Sequence, residues 1–249
     1  MKKLIYLILV VLIFVLFYFS FFRARSADKE IVAMDTIIRV KVEGEYAGQY
    51  ASMAIEEIKR LEKLFNRFDP SSEVSRINRG EKVVMSEDMR RILVLSEKMR
   101  QLTKGAFNVR YSGKIDLGGI AKGYAVESAR GRLVKKGAKS GIIDAHSSIA
   151  VFGPRTWKVG IQDPNDKNKL LAVVELCNGQ AVSTSGNYER GRHIIDPRTR
   201  KPAKGCQSVT LIGQDAGELD ALSTAMFVLG STEGRKLISK MRGVKAIIK

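Results

Sequence analysis

An apolar run near the start of the chain is the feature that most restricts how this sequence can fold. The nineteen residues from Leu4 to Phe22 carry no charge and follow the short basic head Met1-Lys2-Lys3. A helix of about 20 apolar residues is long enough to cross a bilayer. The run is also longer than the usual apolar core of a signal peptide. We therefore expect residues 1–29 to form a membrane anchor with a polar linker, and residues 30–249 to form one folded domain.

The residues around this run favour an anchor that is not cleaved. No Cys lies directly after the run for lipoprotein processing, and Ala24-Arg25-Ser26 is a poor site for cleavage after small residues. Lys2 and Lys3 favour a cytoplasmic N-terminus, although Arg23 and Arg25 reduce the difference in charge across the run. A cytoplasmic N-terminus would place the domain on the extracytoplasmic side.

The charge of the chain is compatible with several kinds of partner. Its formal net charge is +17, from 43 Lys and Arg against 26 Asp and Glu. Such a balance is common in nucleic-acid-binding proteins, but here the basic residues are spread over most of the chain with few aromatic residues between them. An anionic membrane surface or a phosphate-bearing substrate fits equally well. The two cysteines, Cys177 and Cys206, are too few for a disulfide framework or a zinc site.

The order of the expected elements predicts an α+β fold with a largely antiparallel sheet. Apolar residues at helical spacing and turn residues between them divide the chain. Ser86 is expected to cap the second helix, and Gly105 to follow its end. We expect strands at residues 31–42, 141–145, 157–161, 171–176, 180–185 and 208–213. We expect helices at residues 47–65, 86–102, 218–229 and 232–241, and a further helix that begins after the glycine turn at 118–119 and ends at about residue 136. Several adjacent strands without regular βαβ alternation favour this class.

One carboxylate and one hydroxyl near the end of the chain are candidate metal ligands. Asp220 and Thr224 are four residues apart in a predicted helix, so they share one face. Mg²⁺ prefers oxygen ligands and keeps positions open for water and phosphate oxygens. A structural interpretation is also open, in which Asp220 caps the helix and Thr224 bonds back to a carbonyl.

Three further stretches contain residues suited to chemistry. Gly105-Ala106-Phe107-Asn108 follows a helix, and Asp116 to Gly123 form a glycine-rich turn before another helix, whose N-terminal amides could face an anion. His193-Ile194-Ile195-Asp196-Pro197 comes after Ser183-Thr184-Ser185-Gly186. Each stretch also has a structural interpretation, because such turns and single histidines are common in proteins of every function.

Taken in order, these stretches resemble the ApbE family, the FAD:protein FMN transferases, also called thiamine biosynthesis lipoproteins. The resemblance covers roughly residues 31–241. It is strongest at Asp116–Ala125, at Ala181–Gly186 followed by His193–Thr199, and at Asp220–Ala225, and Ser72–Asn78 matches as well. It implies an ApbE-like (T-fold-like) fold and an extracytoplasmic, Mg²⁺-dependent enzyme. Such an enzyme splits FAD, releases AMP and attaches FMN to a Thr or Ser of a partner, for example a subunit of a membrane redox complex.

The resemblance also implies roles for individual residues. Asp220, Thr224 and the backbone carbonyl of Gly119 would hold Mg²⁺. His193 would be the base for the acceptor hydroxyl, a role suited to imidazole. Phe68 could stack on a ring and Lys122 could offset phosphate charge. The residues at positions that contact FAD in the family are Met34, Phe68, Ala106, Phe107, Asn108, Asp116, Lys122 and Ile194.

The sequence departs from the family pattern beside the expected flavin site. Only eight residues, Asn108 to Ile115, join Phe107 to Asp116, where the family has several dozen, and Asn108 replaces the usual Asp. His146-Ser147-Ser148 stands where the family has a Gly-Gly pair. Two alternatives stay open. One is a Mg²⁺-dependent FAD pyrophosphatase that gives free FMN. The other, which these departures motivate, is a non-catalytic FAD-binding or scaffold protein at the membrane.

Overall fold

The computed structural model describes residues 26–187, 191 and 193–249. The predicted anchor at Leu4–Phe22 lies outside these residues. Among the helices that are described, none combines the length and the apolar character needed to cross a membrane. In the same part of the chain, Cys177 is exposed, Cys206 is half-buried, and both are free thiols.

A seven-stranded sheet forms the centre of the domain. The strands of the described chain are β1 (Ser26–Ala33), β2 (Thr36–Glu43), β3 (Ser140–Asp144), β4 (Ser148–Phe152), β5 (Trp157–Asp163), β6 (Asp166–Leu176), β7 (Ala181–Gly186), β8 (Ile195–Asp196), β9 (Lys201–Pro202), β10 (Ser208–Gly213) and β11 (Lys245–Ile248). The central sheet has the order β1-β2-β3-β4-β7-β10-β11. Each pair of neighbouring strands in it is antiparallel. β5 pairs with β6, and β8 pairs with β9, each as a separate hairpin.

The helices cover one face of the sheet and bury the main core. They are α1 (Ala47–Phe65), α2 (Glu73–Asn78), α3 (Glu87–Leu102), α4 (Ala121–Lys135) and α5 (Ala216–Ile238). α5 is interrupted at Gly230, which has a φ of 78°. Apolar side chains such as Ile58, Leu133 and Phe227 are fully buried between these helices and the sheet. Burial of this apolar surface is the main stabilising contribution to the fold.

The β5–β6 hairpin covers part of the opposite face and buries a second core. Trp157, Val159 and Ile161 from β5 pack against Ile149 and Val151 from β4. The alternate residues of β4, Ala150 and Phe152, belong to the main core. Because side chains alternate between the faces of a strand, β4 is buried on both sides. The hairpin thereby forms one wall of the large cavity described below.

Much of the predicted architecture is confirmed. The fold is α+β with an antiparallel main sheet, and α1 has the predicted bounds. Ser86 caps α3 by accepting a hydrogen bond from the N–H of Met89 at 3.1 Å. The predicted separation of the last two helices corresponds to the break in α5 at Gly230.

The start of the domain differs from the prediction. A single strand over residues 31–42 is wrong, because Met34 and Asp35 have φ values of 51° and 60° and turn the chain back on itself. Two positive-φ residues form the tight turn whose twist suits a β-hairpin. Residues 26–30, interpreted as part of a linker, belong to β1 and pair with β2. The strands β4, β8, β9 and β11 were not predicted.

Candidate active site

One large cavity contains every residue that the sequence predicted for the site. Its volume is about 940 Å³, within the range of pockets that hold cofactor-sized ligands. The end of α1, the β1–β2 turn, the glycine turn, β5, β7 and α5 all contribute to its walls. The predicted residues that line it are Met34, Phe68, Ala106, Phe107, Asn108, Asp116, Gly119, Lys122, His193, Ile194, Asp220 and Thr224. The structure therefore brings all twelve together, although they are distributed over almost 200 residues of sequence.

Asp220 is a buried carboxylate held in place from two other elements. Its Oδ2 accepts a hydrogen bond from the N–H of Gly123 at 2.9 Å, and it also accepts one from Ser148. Burial raises the pKa of Asp220, whereas the charge of Lys122 and these two hydrogen bonds act in the opposite direction. The alternative in which Asp220 caps the helix is wrong, because Asp215 is the cap and accepts from the N–H of Glu218 at 2.9 Å.

Thr224 lies one helical turn further along α5 and belongs to a chain of hydroxyl groups. Its Oγ1 is 3.2 Å from Oγ of Ser185, which is 2.8 Å from Oγ of Ser223. The side chain that bonds back to the helix is that of Ser223, which donates to the carbonyl of Asp220 at 3.0 Å. The hydroxyl of Thr224 is thus paired with β7, on the wall of the cavity.

The glycine turn lies close beside Thr224 at Gly119. A Cβ at Gly119 would lie 3.2 Å from both Oγ1 and Cγ2 of Thr224, and 3.3 Å from Cε2 of Phe107. Such distances are tighter than ordinary carbon contacts, so a residue larger than glycine would crowd the hydroxyl. The three predicted metal ligands are therefore neighbours: a Cβ at Gly119 would meet Thr224, and Thr224 shares a helix face with Asp220.

This set of donors fits a hard cation. In the described part of the chain, no three or more His, Cys, Asp or Glu side chains are grouped as a metal site. The candidate ligands supply only oxygens, with one carboxylate among them. Mg²⁺ is usually bound by one or two carboxylates together with water and substrate phosphate, whereas zinc sites use nitrogen and sulfur ligands. A bound cation would also offset the desolvation of the Asp220 carboxylate.

A second charged cluster lies on the wall beside the glycine turn. Asp116 accepts hydrogen bonds from Arg67 and from the N–H of Gly118, the latter at 3.0 Å. The guanidinium of Arg67 lies 4.8 Å from the ring centroid of Phe68, a cation–π contact. Phe68 is 81% exposed. It is therefore available at the edge of the cavity for stacking on a planar ligand.

The exposed ring of His193 has one nitrogen oriented by the backbone. Its Nδ1 lies 3.0 Å from the carbonyl oxygen of Gly191. A carbonyl only accepts hydrogen bonds, so this contact assigns the proton of a neutral imidazole to Nδ1 and leaves the lone pair on Nε2. Nε2 is thus the nitrogen that can accept a proton.

Sequence reasoning gave no role to several polar residues that support the site. Ser148 and Ser185 contact Asp220 and Thr224, and Arg67 pairs with Asp116. Ser185 lies within the stretch Ala181–Gly186 that carried part of the resemblance, so it could have been noticed. Arg67 and Ser148 offered no local signal, because their partners are distant in sequence.

The fold and the cavity define an α+β protein with an oxygen-ligand site on the wall of a cofactor-sized cavity. The chain belongs to the ApbE family, which matches residues 34–113 and 110–248. The two matched parts overlap in the segment after Phe107, where Val109 and Tyr111 line the cavity. The resemblance seen in the sequence is therefore confirmed.

Individual relatives carry related names. The chain is 34% identical over 173 residues to the FAD:protein FMN transferase of Rhodobacter capsulatus, covering 64% of this chain and 33% of that protein. It is 29% identical over 181 residues to a FAD:protein FMN transferase of Klebsiella pneumoniae, covering 68% and 57%. The chain thus spans less than two thirds of the length of these relatives.

Solved structures match over a larger share of both chains. The ApbE protein from Thermotoga maritima superposes with a TM-score of 0.81 and 28% identity, covering 90% of this chain and 94% of that one. The flavin transferase ApbE from Vibrio cholerae has a TM-score of 0.75 and 18% identity, which is a likeness of fold.

Proposed function

We propose that this protein is a Mg²⁺-dependent FAD:protein FMN transferase, which moves FMN from FAD to a Thr or Ser hydroxyl of an acceptor protein and releases AMP. The observation that carries the proposal is the close approach of Gly119 to Thr224, one helical turn from the buried Asp220, in a cavity also lined by Lys122 and His193. The names of the matched relatives support it.

Binding of FAD requires cationic and donor groups that face its pyrophosphate. Asp220, Thr224 and the carbonyl of Gly119 would hold Mg²⁺, which when bound withdraws charge from the non-bridging oxygens and from the leaving AMP. Lys122 lines the same cavity and adds a second positive charge. Phe68, which is exposed at the cavity edge, offers a ring face for a heterocycle, and Phe107 lines the cavity wall.

The chemical step requires a base for the acceptor hydroxyl. The hydroxyl oxygen bonds to the phosphorus of the FMN half, and the bond from that phosphorus to the bridging oxygen breaks, so the bridging oxygen leaves with AMP. Nε2 of His193 takes the hydroxyl proton, while Nδ1 keeps its contact with Gly191. The product carries FMN through a phosphoester.

The same proposal includes a location beside a membrane. Leu4–Phe22 would be a single-pass anchor in the bacterial inner (cell) membrane, with the domain on the extracytoplasmic side. The net charge of +17 suits an anionic membrane surface and an anionic substrate. An acceptor at that surface, such as a subunit of a membrane redox complex, would then be within reach of the cavity.

The test uses the full chain in detergent with FAD, Mg²⁺ and candidate acceptor proteins, followed by fluorescence of denatured gels. Covalent flavin on an acceptor is expected with the wild type and is expected to be lost with Asp220→Asn. Glu218→Gln is the matched control, because Glu218 lies on the same helix and pairs with Lys98 instead of lining the cavity. Equal labelling by the wild type and Asp220→Asn would show that the assignment is wrong.

Product analysis separates the alternatives. AMP release with all flavin in solution would identify a pyrophosphatase. Tight binding of FAD without AMP release would identify a non-catalytic FAD-binding protein.

A further inference from the structure

Two adjacent residues in the turn between β3 and β4 have features that reduce stability. The turn is closed by the N–H of Ala145, which donates to the carbonyl of Ser148 at 2.9 Å. His146 has a φ of 65°, in the left-handed region that favours glycine. The hydroxyl oxygen of Ser147 is shielded from solvent and, within the described residues, has no hydrogen-bond partner. Strained residues of this kind occur most often at functional sites.

Both residues line the large cavity, beside the candidate metal site. The carbonyl of Ser147 accepts a hydrogen bond from the N–H of Thr184 at 2.8 Å, and the next residue on β7, Ser185, contacts Thr224. On the other side of the turn, Ser148 bonds to the carboxylate of Asp220. His146 is thus one residue from a contact with β7 and two residues from a contact with Asp220.

An acidic residue lies directly beneath His146. Oδ1 of Asp144 accepts the backbone N–H of His146 at 2.7 Å, and both residues line the cavity. Burial raises the pKa of Asp144, and the charges of His146 and Arg39 act against that shift. A carboxylate alone would repel an anionic ligand, whereas a ring nitrogen of an imidazole that carries a proton can donate a hydrogen bond to a phosphate oxygen.

We propose that the ring of His146 donates a hydrogen bond to the pyrophosphate of the dinucleotide substrate, as a specificity-determining residue beside the metal site. This inference rests on the proposed function, because the pyrophosphate is the part of FAD that the metal site would hold. The flavin and adenine rings would extend away from that end of the cavity. A contact with phosphate accounts for a histidine at a position where the backbone favours glycine.

Binding of two flavins to the full chain in Mg²⁺ tests the contact without turnover. FAD carries the pyrophosphate, and riboflavin carries the same ring without any phosphate. For His146→Gly, the affinity for FAD is expected to fall about tenfold or more, as for loss of a hydrogen bond to a charged group. The affinity for riboflavin is expected to stay the same, and the thermal midpoint to stay the same or rise, because glycine relieves the left-handed backbone.

Two further variants make the result specific. Tyr46→Gly relieves a similar backbone, with φ 62°, at the opposite end of α1 from the cavity, and is expected to bind FAD like the wild type. His146→Asn preserves folding if glycine does not, because Asn tolerates the left-handed region. The Asn amide can donate but is shorter than the imidazole, so its affinity for FAD is expected to fall, although less than with His146→Gly.

The outcomes distinguish this inference from the proposed function. Unchanged binding of FAD by both His146 variants would overturn the contact while leaving the function intact. An equal loss of affinity for FAD and for riboflavin would place the ring of His146 against the flavin. That result would also overturn the proposed contact with the pyrophosphate. A wild-type protein that binds no FAD would overturn the function, and the inference with it.

Discussion

The backbone N–H of Gly123 donates a hydrogen bond to Oδ2 of Asp220 at 2.9 Å, at a point where α4 and α5 touch through their backbones. A Cβ on Gly123 would lie 2.2 Å from the carbonyl oxygen of Ala216 and 2.6 Å from Cβ of Asp220. A real Cβ atom essentially never lies that close to atoms to which it is not bonded. The glycine that permits this helix crossing therefore also orients the carboxylate of the candidate metal site.

Gly123→Ala is expected to destabilise the protein and to impair the metal site. Overpacking of a tight contact typically costs about 1–3 kcal/mol, because the helices must separate to admit the methyl group. Separation would also lengthen the hydrogen bond to Asp220. The measurements are the free energy of unfolding in denaturant and the Mg²⁺ concentration that supports half-maximal AMP release.

Gly131→Ala is the matched control on the same helix. A Cβ at Gly131 would meet nothing within 4 Å. Removing a glycine from an open helical position typically stabilises by about 0.5–1 kcal/mol. If both variants changed stability by the same amount and in the same direction, the close approach at Gly123 would have no energetic importance.

Glu57 is a buried carboxylate that joins α1 to α4. It pairs with Arg60 on its own helix, and with Ser128 at 2.8 Å and Arg132 at 2.7 Å on α4. Glu57→Gln is expected to lower the free energy of unfolding by about 2 kcal/mol at neutral pH. Loss of a fully buried ion pair would cost more, but Arg60 and Arg132 are about half exposed and screened by water. Glu87→Gln, which breaks the exposed pair with Arg91, is the control and is expected to cost about 0.5 kcal/mol or less.

The contribution of Glu57 should disappear in acid. Its hydrogen bond to Arg60, supported by Ser128 and Arg132, lowers the pKa of Glu57 from 4.5 to about 2. A carboxylate with a lowered pKa in the folded state stabilises it fully above the unfolded pKa. The stability difference between wild type and Glu57→Gln should therefore be constant above about pH 4.5 and shrink as the pH falls towards 2. A difference that does not depend on pH would contradict the assignment.

Local patterns predicted the helices better than the strands. The apolar spacing of α1 and the cap at Ser86 are properties of neighbouring residues, so they are visible in the sequence. The turn at Met34-Asp35 was missed because it lacks the Asn-Gly or Asp-Gly pair typical of such hairpins. Its geometry depends on Glu62 of α1, which accepts the N–H of Met34.

The strands hardest to predict from the sequence were those buried on both faces and those that depend on pairing with a strand distant in sequence. β4 shows no alternation of apolar and polar residues, because Ile149 faces the hairpin while Phe152 faces the helices. β11 is defined by its pairing with β10, more than thirty residues earlier. In the site, the spacing of Asp220 and Thr224 indicated a shared face, but the close approach of Gly119 to Thr224 depends on the folded chain.

Removal of the Thr224 hydroxyl should weaken the response to Mg²⁺ with little loss of stability. Thr224→Val keeps the shape of the side chain and removes one oxygen ligand, so more Mg²⁺ should be required for AMP release. Thr224→Ser keeps the oxygen and is expected to retain most of the response. Ser185→Ala removes the partner 3.2 Å from Oγ1 and is expected to weaken metal affinity about tenfold, as for other residues that orient ligands.

These effects are measured as the Mg²⁺ dependence of AMP release and, without FAD, as calorimetric binding of Mg²⁺. A Thr224→Val protein with the wild-type affinity for Mg²⁺ would exclude Thr224 as a ligand.

Replacement of His193 should separate proton transfer from substrate binding. Removal of a general base typically lowers the rate by about 10²–10⁴-fold, so His193→Gln is expected to slow FMN transfer strongly. Its affinity for FAD should change little, because the ring of His193 is exposed and oriented by Gly191. The measurements are single-turnover transfer rates and FAD affinity by flavin fluorescence. A variant that loses affinity and rate in parallel would instead identify His193 as a residue that binds the substrate.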